Sequence, residues 1–398
     1  LLVAATGVGA GDLATAAFTG SALGVTVLWA VVVGAGIKLL LNEGLARWQL
    51  ATGETLLEGS LARSGRAVRV AFLAYFLIWS FLVAAALMSA CGATFHALAP
   101  LTGSAWGDKV LYGLLHGLAG VLLVRLGGYR LFERVMGGAI VLMFVSVVAT
   151  AVAIGPDWGA VGVGLLVPRI PAVPGGLGWT VALMGGVGGT LTVLCYGYWI
   201  REEGRTGPEA LTACRTDLAL GYLMTALFGV AMVIVGNTVE VSGHGAGLVV
   251  ALGDRLDEAL GPAARWTFLL GAWGAVASSL LGVWQSVPYL FADQWALLRS
   301  GRRDAIRSTD LSGTRPYRLF LYGLATVPVA GLIAGFAAMQ RLYAIVGAAF
   351  MPMLAAALLI LAGRSRWIGT EHRNRPLTNL VLVAILAFFS LLFIRALA

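Results

Sequence analysis

Charge is scarce in this chain. Only 12% of its 398 residues are Asp, Glu, Lys or Arg, about half the share usual in a water-soluble domain. No polar stretch is long enough to hold a separate soluble domain. Cysteine is scarcer still: Cys91, Cys195 and Cys214 sit in or beside apolar segments without CxxC spacing. That excludes a disulfide framework and predicts three small core residues. The four histidines, His96, His116, His244 and His372, form no HxxxH pair, and no paired carboxylates stand within the apolar runs. These absences exclude the common membrane-enzyme chemistries and leave no reason to expect a cofactor. The excess charge of +8 is spread over short connections rather than gathered into a patch, which excludes nucleic acid as a partner.

What is present is apolar sequence from end to end, 59% of residues at a mean hydropathy of +0.88. Runs of about 20 apolar residues, the length that crosses a bilayer, recur at 1–20, 25–48, 68–97, 109–127, 129–154, 179–201, 211–238, 265–298, 317–339, 341–363 and 377–397. The expectation is an all-α integral membrane protein of about eleven spans, in one transmembrane domain and with the lipid bilayer as its surroundings. No obligate protein partner is called for. The chain opens on Leu1 inside an apolar run, which predicts that it starts short of its natural N-terminus.

Orientation follows from the basic residues. Of the 27 Lys and Arg, twenty fall on one set of alternating connections and six on the other, with Lys38 left inside the second span. By the positive-inside rule the N-terminus is cytoplasmic and the C-terminus extracytoplasmic. Four prolines make 155–178 an irregular loop. Helically spaced leucines make 246–260 a short surface helix, and 51–62 reads as an amphipathic connection. Glu43 and Arg47 form an i, i+4 pair. Lys38 either snorkels or meets an acid on another helix, and Asp293, Arg215 and Asp217 are candidate gate or interface residues.

Two spans are interrupted. In the first, Gly9-Ala10-Gly11-Asp12 sets two glycines beside a lone carboxylate at membrane depth. Gly costs about 1 kcal/mol against Ala inside a helix, and an aspartate at mid-span costs about 2.5–3.5 kcal/mol on insertion scales. A helix opened at this point would turn its freed backbone groups and Asp12 toward a cavity; the plainer reading is a helix end capped by Asp12. In the sixth span, Gly185, Gly186, Gly188, Gly189 and Gly197 with Thr190 and Thr192 interrupt a segment ending in Tyr196, Tyr198 and Trp199. Close helix packing would equally explain Gly185 and Gly188 or Gly189. Interruptions in the first helix of two five-span units point to a transporter with inverted repeats and a midplane site. The units are about 1–154 and 179–363, with an extra helix at 377–397.

Residues 12–50, DLATAAFTGSALGVTVLWAVVVGAGIKLLLNEGLARWQL, followed by ATGETLLEG, resemble the first two helices of NRAMP-type divalent-metal transporters. Ser278-Ser279-Leu280-Leu281-Gly282 in the eighth span is similar too. The resemblance covers essentially the whole chain and implies a LeuT-type fold of inverted five-helix repeats with the first and sixth helices broken, in a bacterial-type inner membrane. It places the substrate at Gly9, Ala10, Gly11, Asp12, Gly189, Thr190, Thr192, Val193, Leu194 and Tyr196, with Asp12 and Thr192 toward metal.

The family's helix 1 motif, Asp-Pro-Gly-Asn, is Gly9-Ala10-Gly11-Asp12 here, so the aspartate position is Gly9 and Asp12 stands at the asparagine. Its helix 6 motif, Met-Pro-His, is about Thr192-Val193-Leu194, without thioether or imidazole. No glutamine lies near Phe350-Met351-Pro352. The remaining donors are one carboxylate, hydroxyls and opened carbonyls, a set suited to a hard, partly hydrated cation such as Mg²⁺. The third span has no acid and the ninth no arginine beyond Leu319, so the resemblance implies weak proton coupling or none. The expectation is a secondary transporter of a Mg- or Mn-like cation working by alternating access. The alternative is an organic cation or other small solute held by Tyr196, Tyr198, Trp199 and Trp284 through their aromatic faces.

Overall fold

Backbone amides in hydrocarbon have no water to bond, so apolar sequence of this length must satisfy them within helices. In the computed structural model, which describes residues 11–239, 247–300 and 311–397, every regular element is helical. Eight helical stretches among these residues are long and apolar enough to cross a membrane. The first, Asp12–Thr52, contains the described part of the first expected span and all of the second, and the fifth and eleventh are represented by the shorter apolar helices Phe144–Ala153 and Pro376–Leu392.

The elements in chain order are α1 (Ala16–Leu23), α2 (Leu28–Thr52), α3 (Leu56–Ala62), α4 (Arg66–Leu98), α5 (Ala105–Ala153), α6 (Trp158–Leu166), α7 (Gly176–Gly186) and α8 (Tyr196–Glu202). There follow α9 (Leu211–Gly236), α10 (Leu248–Leu260), α11 (Pro262–Ser300), α12 (Arg315–Thr326), α13 (Phe336–Ala348), α14 (Phe350–Leu361), α15 (Ser365–Ile368) and α16 (Pro376–Leu397). The connection expected near residue 128 is not a break: the backbone of α5 stays helical through it. The expected irregular loop 155–178 also needs correcting. Asp157 accepts the Gly159 and Ala160 N–H groups and starts α6, the N-cap role that short acidic side chains fill well.

Local chemistry accounts for most of the ends. Thr55 and Glu58 form a reciprocal capping box at α3, satisfying two donors that a helix start leaves open. The segment expected as a surface helix is α10, with Asp254, Arg255, Asp257 and Glu258 exposed and Leu248, Val249, Leu252 and Leu256 buried against α11. The Glu43–Arg47 pair forms at 3.3 Å. Arg47 goes further and donates to His372 O and Asn374 Oδ1, binding α2 to the chain ahead of α16. All three cysteines are free and buried, as expected.

Burial ranks the spans. In the most apolar window of Gly176–Glu202 83% of residues are buried, against 22% for Ala105–Leu126, so the interrupted sixth span is central and the fourth peripheral. Close crossings are made through small residues, as membrane helices require. A Cβ added at Gly20 of α1 would lie 2.2 Å from Val233 O of α9, and one at Gly236 of α9 would lie 2.3 Å from Ala17 O of α1. The two helices therefore touch backbone to backbone.

Candidate functional site

The two interruptions meet. Asp12 lies in a π-type turn, Gly11–Thr15, directly ahead of α1; such wide turns cluster at functional sites. In the sixth span α7 stops at Gly186, Gly188 and Gly189 take φ of +75° and +84°, and Thr190 has φ −116° and ψ −113° before a 3-10 turn leads into α8. The left-handed region is one that only glycine enters without steric cost, and the break leaves Gly185 O, Val187 O and Gly188 N–H bonded to side chains instead of to the helical ladder. The Asp12 carboxylate, fully buried, accepts the Gly188 N–H through both oxygens at 3.2 Å. Gly9 and Ala10, the other two expected positions of the first interruption, lie outside the described residues.

Lys38 completes this cluster. Its side chain is fully buried, and its ammonium donates to Gly185 O at 2.8 Å and to Val187 O. Asp12 is bound at the same turn, on the Gly188 N–H that follows Val187. The snorkelling alternative is thereby overturned: the ammonium sits on the carbonyls at the C-terminal end of α7, where the helix dipole favours positive charge. One turn further along α2, Asn42 Nδ2 donates to Tyr222 OH of α9 at 2.7 Å, and the Tyr222 ring edge is the nearest neighbour to any Cβ at Gly188, at 3.1 Å.

The remaining expected site residues divide. Thr190 Oγ1 receives the Trp79 Nε1–H of α4 at 2.8 Å and stands 3.5 Å from Tyr343 OH of α13, tying the break to two other helices. Thr192 Oγ1 accepts the Thr190 N–H at 3.3 Å. Val193 and Leu194 are buried core side chains. Gly185 is a packing glycine, since a Cβ there would come within 2.4 Å of Ala348 Cβ.

The aromatic residues do not converge on one pocket. Tyr196 OH donates to Cys214 O, Tyr198 OH to Asp293, Trp199 Nε1 to Gln285 and Trp284 Nε1 to Gly117 O. Asp293, the candidate gate residue, thus belongs to a polar layer around α8. There Arg201 pairs with Glu58 at 2.5 Å and Tyr289 OH donates to Glu202 at 2.9 Å. Arg215 binds Glu43 and Asp217 binds Arg205 in the same region.

Against known proteins, the model of the natural resistance-associated macrophage protein-like (Nramp) family matches residues 1–398. The chain belongs to the Nramp family. This Nramp chain is 27% identical over 239 residues to the divalent metal cation transporter MntH of Yersinia pestis (strain Pestoides F), a stretch covering 56% of the chain and 53% of that relative. It is 26% identical over 236 residues to MntH of Pectobacterium carotovorum. The chain thus spans about half the length of the curated relatives it matches. Among solved structures, a mutant of the Eremococcus coleocola manganese transporter superposes with a TM-score of 0.72 at 18% identity, covering 98% of this chain and 83% of that one. MhsT in complex with L-phenylalanine gives 0.64 at 16% identity, covering 99% and 96%. These likenesses establish the LeuT-type fold of a multi-pass membrane protein.

Sequence reasoning places Asp12 and the break of the sixth span but leaves Lys38, Asn42, Tyr222 and Trp79 outside the site. A signal for Lys38 is present, because an ionisable residue in mid-span points to function before it points to structure. Its i, i+4 spacing to Asn42 puts both on one helix face. Gln340 is also missed. Helix α13 begins at Phe336 rather than 341, so this fully buried glutamine falls within the helix, and it donates to Ala86 O of α4 at 2.8 Å.

Proposed function

We propose that this Nramp member is a secondary transporter, not an enzyme, that carries a divalent cation across a bacterial plasma membrane by alternating access through the junction of its two interrupted helices. The observation that carries this reading is the buried Asp12 carboxylate held on Gly188 N–H at the break of the sixth span. A carboxylate at that depth is retained where it serves an ion path, and opened helices supply cation ligands in this architecture. Asp12 is the principal ligand, supported by the backbone carbonyls of Gly185 and Val187 and the Thr192 hydroxyl. These are hard oxygen donors, which favours Mg²⁺ or Mn²⁺ with part of its water retained over softer metals.

Coupling to protons is weak or absent in this reading. The α4 sequence has no acid, and no arginine follows Arg318 in α12 or in the 3-10 turn Val327–Ile333. The alternative, an organic cation or other small solute on the same scaffold, would rest on the ring faces of Tyr196, Tyr198, Trp199 and Trp284, whose polar groups bond to separate partners. The N-terminus is cytoplasmic, from the distribution of Arg and Lys.

The test is uptake of Mn²⁺ and of Mg²⁺ into proteoliposomes, wild type beside Asp12→Ala, with internal pH recorded. Flux of either ion that disappears in the variant without a pH change is the expected result. Silence for both ions from folded wild-type protein, or flux indifferent to the substitution, would overturn the reading.

A further inference from the structure

We infer that the Lys38 ammonium is a tethered competitor of the transported cation, occupying the carbonyls of the sixth-span break when no ion is bound and leaving them when one arrives. The inference rests on the divalent-cation reading above and adds a residue and a step to it.

Lysine is almost never fully buried unless it is paired, and this one is buried among apolar helices with 0% exposure. What holds it is the ligand set that a dehydrated cation takes in this class of fold. Two carbonyls at the C-terminal end of a broken half-helix, Gly185 O and Val187 O, receive it, and the Asp12 carboxylate is held on the very next amide, Gly188 N–H. The same backbone turn serves both charges, since Gly188 N–H goes to Asp12 and Val187 O to Lys38. Asp12 is thereby balanced by a charge the protein carries itself. A dication added beside the ammonium would meet a like charge at short range in a medium of low polarity, where such repulsion is many times stronger than in water. Ion and ammonium therefore exclude one another.

A second observation points to the same exchange. Asn42 lies one turn along α2 from Lys38, is 1% exposed, and its Oδ1 has no hydrogen-bond partner among the described residues. A buried amide oxygen without a partner is costly to keep. It is a ready additional ligand for an ion that has displaced the ammonium, whose flexible four-carbon stem lets it withdraw. The arrangement leaves the empty site neutral, Asp12 against Lys38, while the loaded site carries one net positive charge, the dication against Asp12. Lys38 acts as the cation of the empty return leg, which removes the need for a proton to fill that role.

The test uses the full chain in detergent and in proteoliposomes, with Mn²⁺ as the probe. Lys38→Met removes the charge with little change in length, and Lys38→Gln keeps a donor for the carbonyls should the first variant fail to fold. Loss of the competitor is expected to tighten Mn²⁺ binding by calorimetry on the order of tenfold or more, and Asp12→Asn added to either variant abolishes it. In proteoliposomes net Mn²⁺ uptake falls on the order of tenfold, because the uncompensated empty carrier returns slowly, while Mn²⁺/Mn²⁺ exchange persists. A purely structural lysine would depress net uptake and exchange together and leave affinity the same or weaker. That outcome, with Asp12-dependent binding retained in wild type, overturns the exchange and leaves the cation reading standing. Absence of binding in every variant, or binding that ignores Asp12, overturns both.

Discussion

Replacing Gly188 by alanine tests the geometry on which the site depends. The residue sits at φ +75°, where an L side chain is disfavoured by about 1–2 kcal/mol. The new Cβ would also stand 3.1 Å from the Tyr222 ring and 3.2 Å from Thr225 Cγ2. Both neighbours are buried on α9, so relief requires moving packed groups, at about 1–3 kcal/mol. The sum, about 2–5 kcal/mol, exceeds the effect of an ordinary substitution. A turn that yields instead would swing the Gly188 N–H away from Asp12. Gly36→Ala is the matched control, because it lies in α2 facing open space with nothing within 4 Å of the added methyl and replaces a poor helix former by a good one. Thermal unfolding in detergent, followed by tryptophan fluorescence, should show a clear loss for Gly188→Ala and none, or a slight gain, for Gly36→Ala. Uptake of Mn²⁺ should fall only in the former. Wild-type unfolding and wild-type uptake from Gly188→Ala would refute the claim that a left-handed turn builds the site.

Other substitutions probe the supports. Trp79→Phe removes the indole bond to Thr190 and should cost about 0.5–1.5 kcal/mol, read as a lower unfolding temperature and rescued in part by Thr190→Val, which removes the stranded hydroxyl. Arg47→Ala breaks three contacts at once, to Glu43, His372 O and Asn374. It should cost about 2–4 kcal/mol, as for charged hydrogen bonds lost from a largely buried site, and limited proteolysis should then cut near residues 369–375. Glu258→Ala removes an exposed pair with Arg255 and should leave the unfolding temperature within error, since such pairs contribute about 0–1 kcal/mol.

How far the sequence reads through to the structure depends on the range of the interaction. Span positions follow from apolar run length, and the Glu43–Arg47 pair from helical spacing; both are local properties and both appear. The interruption of the sixth span is legible because Gly188 and Gly189 weaken a helix whatever surrounds them. Misreadings come where a distant partner decides. Prolines at 156 and 168 argue for a loop, yet Asp157 caps a helix between them. Helical leucines at 248–256 give the surface helix, but not that α11 is what its apolar face covers. Lys38 is visibly anomalous, but its partners lie about 150 positions away in sequence, and nothing in the local pattern names them. The polarity of Thr190 and Thr192 marks them within an apolar span, but that they brace the turn follows only from knowing where Trp79 stands.

The mutual contact of α1 and α9 has a mechanical consequence. Because Gly20 rests on the backbone of residue 233 and Gly236 on that of residue 17, neither helix can slide along the other without driving a carbonyl oxygen into a neighbouring chain. α1 and α9 must therefore travel as one piece. The same holds for α7 and α13, locked where Gly185 meets Ala348 and where Gly347 meets Thr190. The junction at Asp12 and Gly188 lies on the seam between these two blocks. A bolt placed across that seam, for example a cysteine pair joining α1 to α7, should arrest the cycle, whereas one inside either block, joining α1 to α9, should leave turnover intact.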